Sequence, residues 1–140
     1  MSTAVEGAGL LDTSTFILLR RLPGSPVLPA FAFISTATLA ELTVGPLVAA
    51  DERSRAARQA QVQQAESDFR PLPFDIAAAR AFGYVATSLR RAGRKTSART
   101  YNAMIAATAI ANNLPLYTCN PQDFAGIDGL DVRPVPVPDP

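Results

Sequence analysis

Three acids stand where this chain has reason to switch from strand to helix, and an amide joins them at the first turn of a buried helix. Asp12 follows the apolar run "GLL", Glu41 lies in "ISTATLAEL", Asn102 opens "NAMIAATAIANN", and Asp123 follows "LPLYTCN". Histidine is absent. That excludes His-based acid–base pairs, Ser-His-Asp triads and the usual zinc sites. Carboxylates without His or Cys partners suit a hard divalent cation such as Mg²⁺ or Mn²⁺.

In an open parallel α/β sheet, side chains just past the strand carboxyl ends converge on one crevice. Acids brought that close repel one another unless a cation neutralises them. Such a cation lowers the pKa of bound water and steadies charge on a phosphoryl oxygen. This chemistry is metal-dependent hydrolysis of a phosphodiester. Each residue also has a simpler role open to it. Asp12 and Asn102 are good N-cap types, and Thr38 to Glu41 fits a capping box. Asn120-Pro121-Gln122-Asp123 reads as N-cap, N1 proline and an acid near the helix dipole. Capping does not explain why all the candidates fall at strand ends.

The elements must therefore be placed. With 140 residues, 48% of them hydrophobic and 18% charged, the chain suits one globular domain over residues 1–140. "AGLLDTSTFILL" predicts strand, turn and helix, and "RLPGSPVLPAF" a loop. "AFISTATLAELTVG" predicts a strand and a helix starting near Thr38, broken at Gly45-Pro46. "DERSRAARQAQVQQAESDF" predicts an exposed helix or one leg of a helical hairpin. Its acids Asp51, Glu52, Glu66 and Asp68 do not compete for the crevice. "RPLPFD" reads as a short strand, "IAAARAFGYVATSLRRAG" as an amphipathic helix ending at Gly93, and "RKTSARTY" as a loop. A buried small-residue helix, the strand "LPLYTCN", a helical turn at "PQDF" and a last strand in "LDVRPVPV" complete the order. Alternating strands and helices imply a mainly parallel sheet covered on both faces.

"LLDTSTFI", "ISTATLAEL", "PFD" and "NAMIAATAIANNLPLYTCNPQDF" together resemble the PIN domain, and closely the VapC-type toxins of bacterial toxin–antitoxin pairs. The resemblance runs from about Leu10 to Val135. It implies a three-layer α/β/α sandwich with a mainly parallel sheet and a small helical hairpin. It also implies a Mg²⁺- or Mn²⁺-dependent endoribonuclease of the cytoplasm that cuts tRNA or ribosomal RNA, is usually a dimer, and is held inactive by a cognate antitoxin. Asp12, Glu41 and Asp123 match family acids, Ser14 the polar support of the first acid, and Asn120 a neighbouring position that some members make acidic. Relatives commonly read "DALIAATA" or "DAMIAATA". Here Asn102 stands where a metal-binding acid is expected, so the metal set becomes Asp12, Asn102 and Asp123. Asn102 is either a natural departure or an introduced exchange, and activity is expected to be impaired. The alternative function is a non-catalytic protein that binds RNA or an antitoxin. A receiver-type signalling domain would need paired acids and a lysine that are not evident.

Charge is uneven. No acid occurs from Ile76 to Gln122, and Arg90, Arg91, Arg94, Lys95 and Arg99 cluster in "RRAGRKTSAR". They suit an RNA backbone, or merely solvate a helix end. The lone Cys119 fits a reducing compartment. No apolar run reaches membrane length, and "MSTAVEGAG" lacks a secretory layout.

Overall fold

The computed structural model describes residues 7–22 and 27–137, without the side chains of Ser97 and Ala98. The expected leaderless start, the "PGSP" of the loop and the end of the Pro-rich tail lie outside the described residues.

The strands are β1 (Ala8–Leu11), β2 (Phe31–Phe33), β3 (Leu116–Thr118) and β4 (Val132–Pro134). They form one parallel sheet in the order β2-β1-β3-β4. Phe33, Leu10, Leu116 and Val132 align in register across it. Side chains alternate faces along a strand, and the two cores follow from that. Leu10 and Leu116 pack with Val85, Leu89 and Ile105 on one face. Leu11 and Tyr117 pack with Phe16, Leu42 and Val62 on the other.

The helices are α1 (Thr13–Leu18), α2 (Thr36–Leu47), α3 (Glu52–Asp68), α4 (Ile76–Arg91) and α5 (Thr100–Ala111). Together they make the α/β/α sandwich that the alternation implied. α2 and α3 form a hairpin. Asp51 caps α3 by accepting from the Ser54 N–H at 2.7 Å; this bond holds its carboxyl below the ordinary range. α5 buries Ala103, Ile105, Ala106, Ala107 and Ala109 because it packs against both α4 and the sheet. Among the described residues, no helix is long and apolar enough to cross a membrane.

Four local expectations need correction. α2 starts at Thr36, because the Ser35 hydroxyl caps it by accepting from the Thr38 N–H at 3.1 Å. Pro46 does not break α2 at Gly45. It sits in the last turn, and the helix continues to Leu47. "RPLPFD" forms no strand: Leu72 makes one isolated parallel bridge to Ser35, and its flanking prolines have no N–H to extend a ladder. "RKTSARTY" is not a loop but a 3-10 turn, Thr96–Arg99, running directly into α5.

Gly9 fixes the spacing at the centre of the sheet. A Cβ there would fall on the Tyr117 ring, 2.6 Å from Cδ1, and 3.0 Å from Pro29 Cβ. The ring has little room to retreat, because Arg133 Nη1 donates to its hydroxyl at 3.1 Å. Gly9→Ala is therefore expected to destabilise the fold by about 1–3 kcal/mol through overpacking. A lowered urea midpoint with unchanged slope would read this directly; an unchanged midpoint would mean that the ring relaxes freely.

Candidate active site

The site begins with Asp12, at the carboxyl end of β1. The residue is 3% exposed and caps α1. Its Oδ1 accepts from the Thr15 N–H at 3.1 Å and the Thr15 hydroxyl at 2.5 Å. Its Oδ2 accepts from the hydroxyls of Ser14 at 3.0 Å and Thr118 at 2.8 Å. A carboxylate offers about four lone-pair positions, so these donors use them all. The capping role considered for Asp12 is real, and it coexists with a link across the sheet. Thr118, the last residue of β3, also accepts from the Asn120 N–H at 2.9 Å. The Asn120 side-chain amide then donates to Ser14 Oγ at 3.0 Å. Asn120 is thus spent on Ser14 rather than on capping the 3-10 turn Pro121–Phe124.

Asp123 lies in that turn, with its side chain about half exposed. Arg99 approaches it from the start of α5, with Nη1 at 3.9 Å from Oδ1. Asn102 is the third residue of α5, while the N-cap position belongs to Arg99. The cap reading of Asn102 therefore fails. Its amide makes no side-chain hydrogen bond to another described residue. The capping-box reading of Glu41 fails as well, since Ser35 does that work. Glu41 Oε1 is buried and has no hydrogen-bond partner among the described residues.

The basic segment divides. Arg90, Arg91 and Lys95 are exposed. Arg94 and Arg99 bind inward: Arg94 Nη1 donates to the carbonyls of Gln122 and Ala125, and Arg99 faces Asp123. Thr15, Thr118 and the Thr13–Thr38 hydroxyl contact at 3.1 Å were not among the sequence candidates. The run "DTST" carried a signal for Thr15, three residues after the acid. Nothing local marked Thr118, which is 106 positions from Asp12.

The PIN domain family profile matches residues 10–130. Ribonuclease VapC5 of Mycobacterium tuberculosis is 38% identical over 131 residues, covering 92% of this chain and 93% of that protein. The chain belongs to the PIN-domain family, among its VapC-type members. Ribonuclease VapC of Rickettsia bellii is 32% identical over 135 residues, 93% of this PIN chain and 98% of its relative. The solved VapBC-5 toxin–antitoxin structure from M. tuberculosis superposes with a TM-score of 0.80 at 36% identity, over 92% of this chain and 99% of that one. VapBC2 of Rickettsia felis, solved on a promoter DNA fragment, shares the fold at a TM-score of 0.73 and 22% identity, over 91% and 98% of the two chains.

For a divalent cation the donor set of this PIN domain is mixed. The donors are oxygen-rich, and Glu41 Oε1 is an orphaned buried carboxylate oxygen. Yet Asp12 is saturated, and Asn102 brings an amide where a charge is expected. Among the described residues, no group of three or more His, Cys, Asp or Glu side chains could hold a metal ion.

Thr118→Val keeps the side-chain shape and removes the hydroxyl. It leaves Asp12 Oδ2 one donor short and the Asn120 N–H without its acceptor. Leaving such buried groups unsatisfied is expected to cost about 1–3 kcal/mol in urea unfolding. Thr87→Val removes an exposed hydroxyl bonded to the Gly83 carbonyl at 2.9 Å and should cost less. Equal losses would show that the Asp12 network contributes no stability.

Proposed function

We propose that the chain is the toxin ribonuclease of a toxin–antitoxin pair, with a phosphodiester-cleaving centre left one carboxylate short by Asn102. The carrying observation is Glu41 Oε1, buried and without a hydrogen-bond partner among the described residues. A buried carboxylate oxygen with nothing to bind carries a large desolvation cost, which a site built for a cation would recover. The relatives' name, ribonuclease, supports RNA as substrate, and the toxin–antitoxin structure supports an antitoxin partner. The resemblance adds tRNA or ribosomal RNA, Mg²⁺ or Mn²⁺, a homodimer and a cytoplasmic setting. In this reading Asp12 would exchange one of its hydroxyl donors for the cation, Asp123 and an acid at position 102 would join it, Glu41 would act beside them, and Ser14 and Asn120 would orient Asp12. Exposed Arg90, Arg91 and Lys95 meet the RNA backbone; Arg94 and Arg99 are engaged within the protein.

A second reading has its own support. Among the described residues no group of three acids is assembled, which fits a chain that binds RNA or an antitoxin without turnover.

Asn102→Asp separates the two. An Asn side chain has nearly the shape of a carboxylate, carries no charge, and offers only one oxygen. The expected result is that the sequence as written cleaves total tRNA little or not at all with Mg²⁺ or Mn²⁺. Asn102→Asp should cleave it, and chelator should stop the reaction. The variant should melt lower without metal, because an added like charge raises repulsion. Mg²⁺ should recover part of that loss by binding the folded state. RNA binding without cleavage by Asn102→Asp under either metal would favour the second reading. Equal cleavage by both proteins would remove position 102 from the site.

A further inference from the structure

The 3-10 turn Pro121–Phe124 carries Asp123 and follows Asn120; the buried Phe124 ring anchors one end of it in the core, but its backbone has few partners of its own. Its N-cap residue makes no side-chain capping bond. Its internal bonds are short-range: the Asp123 N–H donates to the Asn120 carbonyl at 3.0 Å, and the Ala125 N–H to the Gln122 carbonyl at 3.3 Å. Such turns leave end carbonyls that need partners from outside.

Arg94 supplies one. A single nitrogen, Nη1, donates to the Gln122 carbonyl at 3.0 Å and to the Ala125 carbonyl at 2.7 Å. One acceptor lies within the turn and the other just past it, so the guanidinium spans its exit. The next residue brings the backbone close to the same part of the protein. Gly126 has φ +85°, and a Cβ there would stand 2.8 Å from Ala92 Cβ, at the end of α4. Further on, the Asp128 N–H donates to the Ser88 hydroxyl at 3.3 Å. The segment after β3 is thus tied to the end of α4 at three successive places.

We infer that Arg94 is a positioning residue: it fixes the turn that presents Asn120 and Asp123 to the acidic crevice, rather than contacting RNA. What Asp123 does there rests on the function proposed above. Where it is held does not. The geometry favours a carbonyl clamp because one guanidinium nitrogen held on two backbone oxygens is fixed in direction and has its donors committed within the protein.

The test uses the full chain as written and reads the turn by ¹⁵N NMR. In Arg94→Ala, amide exchange at Asp123 and Ala125 should rise about tenfold or more, and the Asn120 side-chain amide resonances should shift. Val62 and Ala65 on α3 should keep their protection. Arg94→Lys keeps the charge but has a different reach and no planar fork, so it should restore the turn only in part. Gly126→Ala keeps Arg94 and should loosen the same amides by pushing the backbone away from Ala92. Binding of total tRNA by Arg94→Ala should retain the salt dependence of the parent protein. Parent-like exchange in Arg94→Ala would overturn the proposal, as would full protection in Arg94→Lys. A salt slope lowered by about one, with exchange unchanged, would assign Arg94 to an RNA phosphate instead. None of these readouts needs cleavage. Failure of Asn102→Asp to cut RNA would therefore leave this result intact and count against the functional reading alone.

Discussion

The buried carboxylate of Asp12 is the contact on which the site depends. An isolated charge taken out of water carries a penalty of several kcal/mol or more, and hydrogen-bond donors must offset it. Here those donors come from the first turn of α1 and from the last residue of β3. The carboxylate can be satisfied only when β1 and β3 are in register and α1 leaves the sheet at the right angle. Correct folding and correct placement of the acid are therefore one event. The same oxygens set the next layer: Thr118 fixes the Asn120 backbone, Asn120 fixes Ser14, and Ser14 returns to Asp12. This closed circuit of short polar groups is rigid because each hydroxyl both donates and accepts.

The other polar candidates are not tied in the same way. Glu41, on α2, has a buried oxygen without a hydrogen-bond partner among the described residues. Asn102, in the first turn of α5, makes no side-chain hydrogen bond to another described residue. Among the described residues the opposing charge brought to Asp123 is Arg99, and at 3.9 Å with both groups partly exposed this pair is loose. Pairs of that kind contribute little to stability. One acid is thus built into the fold, while Glu41 and Asp123 are held far more loosely. Under the proposed function, that imbalance would suit a site that must accept an outside partner.

Much of this was legible in the sequence, for reasons that can be named. Apolar runs ending in Asp12 and Asn120 marked strands β1 and β3, and their alternation with helical segments required a parallel sheet. Parallel topology alone sends both strand ends to the same edge. Helix starts were harder to read. Thr38 to Glu41 has the composition of a capping box, but Ser35 lies three residues earlier and has the same chemistry, and the bridge from Ser35 to Leu72 holds it in extended backbone. Asn102 likewise has cap chemistry, but the 3-10 turn Thr96–Arg99 starts the helix earlier. Propensity could not choose between neighbouring residues of similar type; tertiary contacts did. Thr118 was invisible for a different reason, since a threonine in a strand is ordinary until the acid it serves is brought beside it.

The basic segment shows how misleading composition can be about the direction of a charge. Five cations within ten residues look like a surface for a polyanion. Two of them are instead bound to the turn that follows β3. Arginine suits this work because its guanidinium stays charged and is weakly hydrated, so carbonyl oxygens can replace its water at small cost. That placement also leaves a functional consequence. The exposed cations Arg90, Arg91 and Lys95 lie on the same short stretch as the inward-facing Arg94 and Arg99. A polyanion held by the outer set would rest on the same short stretch from which Arg94 reaches the Gln122 and Ala125 carbonyls on either side of Asp123.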